Sequence, residues 1–218
     1  MKSIEFTKMH GAGNDYVYVN GFANPLPDDL EKLAVDISHR RFGVGADGLI
    51  LILPSDKADA RMRMFNADGS ESEMCGNGIR CVAKYVHDHG IARKEKLRIE
   101  TGAGVLSLDL HIQNGLADQI TVDMGEPRLE AAQIPTLLAS PKDRAVNIPI
   151  EFKGQRLFAT CVSMGNPHCV IFVPEANDEL VLGIGPLIER DDRFPKRTNV
   201  EFVEVLARGE VRQRTWER

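Results

Sequence analysis

The sequence repeats itself over a long interval, and this repeat constrains the fold more than any other feature. Three unrelated landmarks each occur twice: Gly13-Asn14 and Gly165-Asn166, Arg41-Phe42 before Asp47 and Arg193-Phe194 before Asn199, and Met62-Arg63-Met64-Phe65-Asn66 and Gln213-Arg214-Thr215-Trp216-Glu217. From Asn14 to Asn166, from Asp47 to Asn199 and from Asn66 to Glu217, the intervals are 152, 152 and 151 positions. A shared interval indicates a tandem duplication. We therefore expect two similar lobes, at residues 1–125 and 126–218, joined by a proline-rich crossover.

Local patterns predict that each lobe is of the α+β class. Apolar residues have helical spacing in two segments, one capped by Asp28 and one with Ile79, Val82, Ala83 and Val86 that ends at Gly90. Strand-like runs occupy residues 16–19, 49–53, 61–65, 97–100, 105–110, 119–123, 157–162, 169–173 and 200–206. Because the counterpart of Cys75 falls near position 226, we expect the second lobe to be incomplete in this chain.

Composition narrows the class of protein. The 218 residues carry a net charge of -5 without a long basic run, which argues against nucleic acid or an anionic membrane as partner. No apolar run approaches the roughly 18 residues of a membrane helix, and the N-terminus lacks the apolar core of a signal peptide. Four cysteines do not make a disulfide framework. These features predict a cytoplasmic globular protein.

Cys75-Gly76-Asn77-Gly78 is the segment with the clearest chemical signature. It is a cysteine followed by a flexible turn that opens into the second predicted helix. Unpaired backbone N–H groups and the positive end of the helix dipole meet at such a position. A thiol there ionises more readily than a free thiol, and the N–H groups at Gly76 and Asn77 can bind a carboxylate. The segment therefore predicts a reactive thiol beside an anion site.

Other short motifs have simpler explanations. Gly43-Val44-Gly45-Ala46-Asp47-Gly48 has the spacing of a dinucleotide-binding loop, but it follows a helix and opens a strand, the reverse of that motif. The cysteines and histidines from Cys75 to His89 lack the spacing of a structural zinc site, so we expect no metal. Cys81, Cys161 and Cys169 lie within predicted elements, where burial is the favoured interpretation.

Several polar residues occupy turns and strand ends, where they could bind a ligand that carries both charges. Amide side chains offer donors and acceptors without net charge. A carboxylate and a guanidinium at the end of the chain would add partners for an ammonium and a carboxylate. These residues are Asn14, Asn66, Asn166, Asn199, Glu217 and Arg218.

The longer motifs identify a family. The chain resembles diaminopimelate epimerase at Lys8-Met9-His10-Gly11-Ala12-Gly13-Asn14-Asp15, Arg41-Phe42-Gly43-Val44-Gly45-Ala46-Asp47-Gly48, Phe65-Asn66-Ala67-Asp68-Gly69-Ser70, Cys75-Gly76-Asn77-Gly78, Met164-Gly165-Asn166-Pro167-His168-Cys169 and Arg197-Thr198-Asn199-Val200. The resemblance implies two similar α+β lobes, each a curled, mostly antiparallel sheet around a central helix, with the active site between them. It also implies a homodimer and an isomerase of lysine biosynthesis that uses no cofactor.

The resemblance implies a role for each matched residue. The family inverts LL-diaminopimelate to the meso form with two cysteines, one as thiolate base and one as thiol acid, and Cys75 matches one of them. His168 would lie near the thiols, and Glu217 would meet an ammonium group. Arg218 and the asparagines would hold the distal carboxylate, and the N–H groups near Gly76 and Asn77 would stabilise the carbanion.

The family continues after the Glu-Arg pair with the second cysteine, so we expect the 218-residue chain alone to be unable to epimerise diaminopimelate. Three other functions stay open from the sequence. A proline or hydroxyproline racemase of the same fold also uses two cysteines. Cys75 and His168 could form the nucleophile and base of a thiol hydrolase. A non-catalytic relative used for binding or assembly is the third.

Overall fold

The computed structural model describes residues 3–23 and 25–217. The chain divides into two compact units, Met1–Met124 and Gly125–Arg218. Both are sheets packed against helical segments, so the predicted α+β class is confirmed. No helix in the described residues is long and apolar enough to span a membrane.

The first unit is an eight-stranded sheet with two helices. Its elements are β1 (Thr7–Gly11), β2 (Asn14–Asn20), α1 (Leu30–Ser38), β3 (Gly48–Leu53), β4 (Ala60–Asn66), β5 (Glu71–Ser72), α2 (Gly76–Asp88), β6 (Lys96–Thr101), β7 (Gly104–Gln113) and β8 (Leu116–Val122). The strands pair in the order β1-β2-β3-β4-β6-β7-β8, and β5 pairs with β4. Among the strands of the described residues, β2 with β3 and β4 with β6 are the parallel pairs of this unit. Because α2 contacts strands at both ends of this order, the sheet curls around that helix.

Helix α2 forms where the apolar spacing predicts it. Cys75 is its N-cap, and Ile79, Val82 and Val86 are fully buried against the sheet. Gly90 takes a positive φ of 73° just beyond the end of the helix, a conformation that glycine adopts without strain. This face of α2 and the curled sheet form the main core of the unit.

The other face of the sheet is covered by α1, whose start differs from the prediction. The N-cap is Asp29 and not Asp28, because the Asp29 side chain accepts the Lys32 backbone N–H at 2.9 Å. Strands β2 and β3 are buried on both faces: Tyr18 packs toward α2, while Val17 packs toward α1. Burial on both faces explains why these strands are continuously apolar.

The second unit is a five-stranded sheet with one face packed by short helical turns. Its elements are β9 (Ile148–Phe152), β10 (Gln155–Ser163), β11 (Pro167–Phe172), a π-helical turn (Glu179–Ile184), α3 (Gly185–Glu189), β12 (Asn199–Ala207) and β13 (Glu210–Trp216). The strands pair in the order β13-β12-β11-β10-β9. Strand β9 falls within the predicted crossover, and its Pro149 is tolerated because β9 is an edge strand.

The predicted duplication is visible in the strand pairing. In the first unit β1-β2 is antiparallel, β2-β3 parallel and β3-β4 antiparallel, and β10 to β13 repeat the same order and the same directions. Because the matched strands run alike, Asn14 and Asn166 lie at the same end of their sheets. Each unit therefore presents its predicted polar residues at one corresponding sheet end.

Candidate active site

Cys75 lies where the extended chain turns into α2, partly exposed to solvent. Its backbone is extended, with φ -135° and ψ 115°, and its carbonyl accepts the Ile79 N–H at 2.9 Å. Its sulfur accepts the N–H of Gly78 at 3.3 Å. The thiol thus replaces the usual hydroxyl or carboxylate cap, and the positive end of the helix dipole lies beside it.

The glycines of this segment allow close backbone packing around the thiol. A Cβ at Gly78 would come within 2.6 Å of the Ile50 Cδ1 and 3.5 Å of the Cys75 Sγ. A Cβ at Gly11, at the end of β1, would lie 2.8 Å from the carbonyl oxygen of Asn77. A larger residue in place of Gly11 would push against the backbone of the first turn of α2, whereas one in place of Gly78 would require the Ile50 side chain to shift.

Asn14 connects the thiol to a carboxylate. The Cys75 Sγ lies 3.4 Å from the Asn14 Oδ1, and the Asn14 Nδ2 donates to the Asp47 Oδ2 at 2.8 Å. A carboxylate only accepts hydrogen bonds, so it fixes which end of the amide faces the sulfur. A thiol can donate to this Oδ1, and a thiolate can accept from the Gly78 N–H. The surroundings therefore accommodate both forms, as a residue that takes and returns a proton requires.

Behind Asn14 is a group of charged side chains that the sequence analysis did not single out. Arg40 bonds both Asp15 and Asp47, at 2.8 and 2.7 Å, and Lys8 bonds Asp15 at 2.7 Å. The hydrogen bond from Arg40 holds the pKa of Asp15 well below its usual range, and Lys8 acts in the same direction against the effect of burial. Lys8 also donates to the Gly45 carbonyl. Lys8, Asp15 and Asp47 lie inside the long motifs, whereas Arg40 directly precedes the second of them and had no signal of its own in the sequence.

Asn66 ends β4 at the same end of the sheet. It pairs with Gly48, and the neighbouring Ala67 N–H donates to the Asp47 carbonyl at 3.0 Å. The Asn66 side chain bonds the hydroxyl of Ser70 at 3.0 Å. The structure thus brings Asn14, Asp47 and Asn66 to one sheet end.

Two predicted anion-binding residues form the start of α2. Gly76 is its first residue, where a Cβ would meet only Met124 at ordinary contact distance. The Asn77 side chain accepts from Arg80 at 2.7 Å, a contact within the helix. The backbone N–H groups of this first turn are the groups that a helix N-terminus can offer to an anion.

The second unit gathers its own polar residues by strand register. His168 lies beside Asn199 in the parallel pair of β11 and β12, and Asn166 directly precedes β11. Glu217 follows β13 next to Trp216, which pairs with Val200. These four residues therefore share one sheet end. Arg218 lies outside the described residues.

His168 is held between two oxygens in this cluster. Its Nδ1 lies 2.7 Å from the Glu201 Oε1, and its Nε2 lies 2.8 Å from the Asn166 Oδ1. Glu201 is buried, with 4% of its surface exposed. Sequence reasoning missed Glu201 because a carboxylate within an apolar strand gives no local sign of its partner 33 residues away.

The remaining cysteines are buried, as predicted. Cys81 packs in the core around α2, and burial raises the pKa of its thiol. Cys161 and Cys169 lie opposite each other on β10 and β11, facing the core of the second unit. The contact with Cys161, together with burial, raises the pKa of Cys169. These three thiols are surrounded by core residues, whereas the thiol of Cys75 is partly exposed.

Comparison with known proteins gives a family match. The family model described as Diaminopimelate epimerase matches residues 6–130 and 160–218. The diaminopimelate epimerase of Moorella thermoacetica is 52% identical over 215 residues, which cover 99% of this chain and 76% of the relative. That of Desulfovibrio desulfuricans is 54% identical over 220 residues, with coverage of 99% and 76%.

Solved structures show the same fold at lower identity. A probable proline racemase from Agrobacterium radiobacter K84 has a TM-score of 0.70 and 18% identity, over 98% of this chain and 70% of that one. A Bacillus anthracis phenazine biosynthesis protein of the PhzF family has a TM-score of 0.65 and 18% identity, over 99% and 72%. These likenesses concern the fold alone. The relatives at about half identity favour epimerisation of diaminopimelate over a proline-type racemase.

Proposed function

The chain belongs to the diaminopimelate epimerase family, and from this premise we propose that Cys75 exchanges the α-proton of diaminopimelate during its epimerisation. The protein is an isomerase of the lysine pathway. The observation that carries the proposed mechanism is the placement of the Cys75 sulfur between the Gly78 N–H and the Asn14 amide. This environment suits a thiolate that removes a proton and a thiol that returns one.

Proton removal leaves negative charge on the substrate's α-carboxylate, and the start of α2 is arranged to receive it. The N–H groups at the first turn and the helix dipole are fixed before the substrate arrives, so they need no reorganisation as charge develops. We assign this stabilisation to the backbone at Gly76 and Asn77. The chemistry of this step draws on Cys75 and fixed dipoles.

The polar cluster of the second unit offers amide and carboxylate side chains to a ligand. We propose that Asn166, Asn199 and Arg218 bind the distal carboxylate and that Glu217 meets an ammonium group. Asn66 adds an amide in the first unit, and His168 assists proton transfer. The strand register supports the roles proposed for the second unit, because Asn166, Asn199 and Glu217 lie at one end of its sheet.

The test is exchange of the α-proton with solvent deuterium. The protein is mixed with LL-diaminopimelate in deuterated buffer, and the α-proton signal is followed by NMR. Exchange reports proton removal whether or not inversion follows. We expect exchange above the buffer rate, with a loss of about 100-fold or more in Cys75→Ala and Cys75→Ser.

Cys81→Ala is the matched control, since it removes a buried thiol of the same helix and should keep exchange within about twofold of the unmodified protein. Exchange that survives in Cys75→Ala, or that never exceeds buffer, would refute the assignment. A homodimer and a cytoplasmic location stay predictions for this protein. Sedimentation velocity tests the first, and cell fractionation tests the second.

A further inference from the structure

Glu201 places a carboxylate at a buried position in the second unit. It lies on β12 between Val200 and Phe202, both fully buried, and only 4% of its own surface is exposed. Its Oε2 is also buried and has no hydrogen-bond partner among the described residues. A buried carboxylate that lacks a partner for one oxygen destabilises the fold relative to an apolar side chain of similar size. Stability therefore does not explain a carboxylate at this position.

The other oxygen of Glu201 acts on the imidazole of His168. The Oε1 lies 2.7 Å from Nδ1, so an ionised Glu201 requires a proton on that nitrogen. On the far side of the ring, Nε2 lies 2.8 Å from the Asn166 Oδ1, which also accepts a hydrogen bond. A ring that carries protons on both nitrogens can donate to both oxygens, and the carboxylate of Glu201 can balance its positive charge.

This arrangement determines which end of the Asn166 amide is available to a ligand. The Oδ1 is turned toward His168, so the NH2 group is the end that a ligand can meet. An NH2 group binds carboxylates and rejects ammonium groups. A neutral imidazole with its proton on Nδ1 would instead attract the NH2 group and turn the oxygen outward.

The equivalent asparagine in the first unit is turned the opposite way. Asp47 bonds the Asn14 Nδ2 directly, which leaves Oδ1 to face the thiol of Cys75. The two repeats thus use a carboxylate to orient matching amides, but one acts directly and the other through a histidine. In the first unit, the amide oxygen faces the thiol. In the second unit, the amide NH2 group is the end that could bind an anion.

We propose that Glu201 is a positioning residue that selects for a carboxylate on the ligand, by keeping His168 doubly protonated and the Asn166 NH2 group outward. The proposal rests on the proposed function only in naming that carboxylate as the distal one of diaminopimelate. Glu201 does not touch the ligand and acts through His168 and Asn166.

The first experiment examines His168 directly and does not depend on any activity. Ring 15N chemical shifts are recorded on the full chain near pH 7, with His168→Asn to assign the signals. We expect both ring nitrogens to be protonated, and Glu201→Gln, which keeps the shape and removes the charge, to give a neutral ring. A neutral ring in the unmodified protein would overturn the proposal, as would a doubly protonated ring in Glu201→Gln.

The second experiment measures selectivity with two ligands that differ by one carboxylate. Lysine lacks the distal carboxylate of diaminopimelate, and both are titrated by calorimetry. In Glu201→Gln we expect binding of diaminopimelate to weaken by about 10- to 100-fold. Lysine binding should change less than about twofold or stay undetectable, because lysine has no carboxylate for Asn166 to bind.

Glu189→Gln is the matched control, because Glu189 is a second buried carboxylate of the unit and pairs with Arg197 at 2.9 Å. It should lower stability while leaving affinity for diaminopimelate unchanged. Unchanged affinity in Glu201→Gln would overturn the proposal, as would an equal loss for both ligands. Failure of the deuterium exchange assay would instead reject the role of Cys75, and the histidine signals would still test Glu201.

Discussion

At the scale of single residues, the hydrogen bonding of the Cys75 thiol depends on charged side chains that do not contact it. Asn14 is oriented by Asp47, and Asp47 shares Arg40 with Asp15. The charged group therefore stabilises one conformation of the loop that precedes β3 and of the turn between β1 and β2. Its contribution to stability should vary with pH, because Asp15 must be ionised to take part.

Arg40→Met tests this dependence. Arg40 holds the pKa of Asp15 below its usual range, so ionised Asp15 stabilises the fold above the unfolded pKa of about 3.9. That contribution is lost as pH falls toward the lower pKa of the folded state. We expect Arg40→Met to unfold at a lower urea concentration than the unmodified protein at pH 7.

The difference in urea midpoint should shrink as pH drops below about 4, where Asp15 becomes protonated in the unfolded chain. Arg41→Met is the control, since Arg41 is exposed and should show the same midpoint as the unmodified protein at every pH. A difference between Arg40→Met and the unmodified protein that stays constant from pH 7 to pH 3 would contradict the assigned cause.

At the scale of elements, the start of β3 determines how closely three strands approach at the site. A Cβ on Gly48 would lie 2.1 Å from the Phe65 carbonyl oxygen and 2.9 Å from the Tyr16 ring. Backbone cannot yield as a flexible side chain does, so we expect Gly48→Ala to lower the free energy of unfolding by about 3 kcal/mol. Urea unfolding followed by circular dichroism measures it.

Gly76→Ala is the matched control for Gly48→Ala. Its Cβ would meet only Met124, at 3.5 Å, in the first turn of α2. The free energy of unfolding should change by less than about 1 kcal/mol. Equal effects of the two substitutions would show that close packing at β3 is not the reason for glycine at position 48.

Most regular elements were predictable from sequence because their signals are local, but the predicted strand runs did not include β1, β5, β9 and β13. Helix α2 follows from its apolar spacing, and the repeat interval matches two sets of strands. The α1 cap was displaced by one residue because Asp28 and Asp29 offer the same chemistry and only the turn geometry chooses between them. Glu201 and Arg40 were missed for another reason: their partners are brought close by strand register and by loop conformation, which sequence spacing does not encode.

At the scale of the whole molecule, the duplication gives both copies the same strand arrangement. Sequence divergence between the copies has changed the residues that surround matching positions. Asn14 and Asn166 end corresponding turns, yet the position of Asp47 is occupied by Asn199 in the second copy. The second copy therefore orients its amide through His168 and Glu201. Matching residues thus differ in which polar group they present, because the neighbours that orient them have changed.

The four cysteines lie two in each unit, so their reactivity tests the burial of both cores. Alkylation by iodoacetamide requires a thiolate that the reagent can reach. Cys75 is partly exposed, whereas Cys81, Cys161 and Cys169 are buried and need local opening of the fold. We expect one adduct in the native protein and four in urea, with the buried thiols at least about 100-fold slower. Intact mass spectrometry counts the adducts.

Two variants are the controls. Cys75→Ala should give no adduct in the native protein, and Cys81→Ala should still give one. A second fast adduct in the native state would contradict the prediction, because it would mean that one of the cores opens readily.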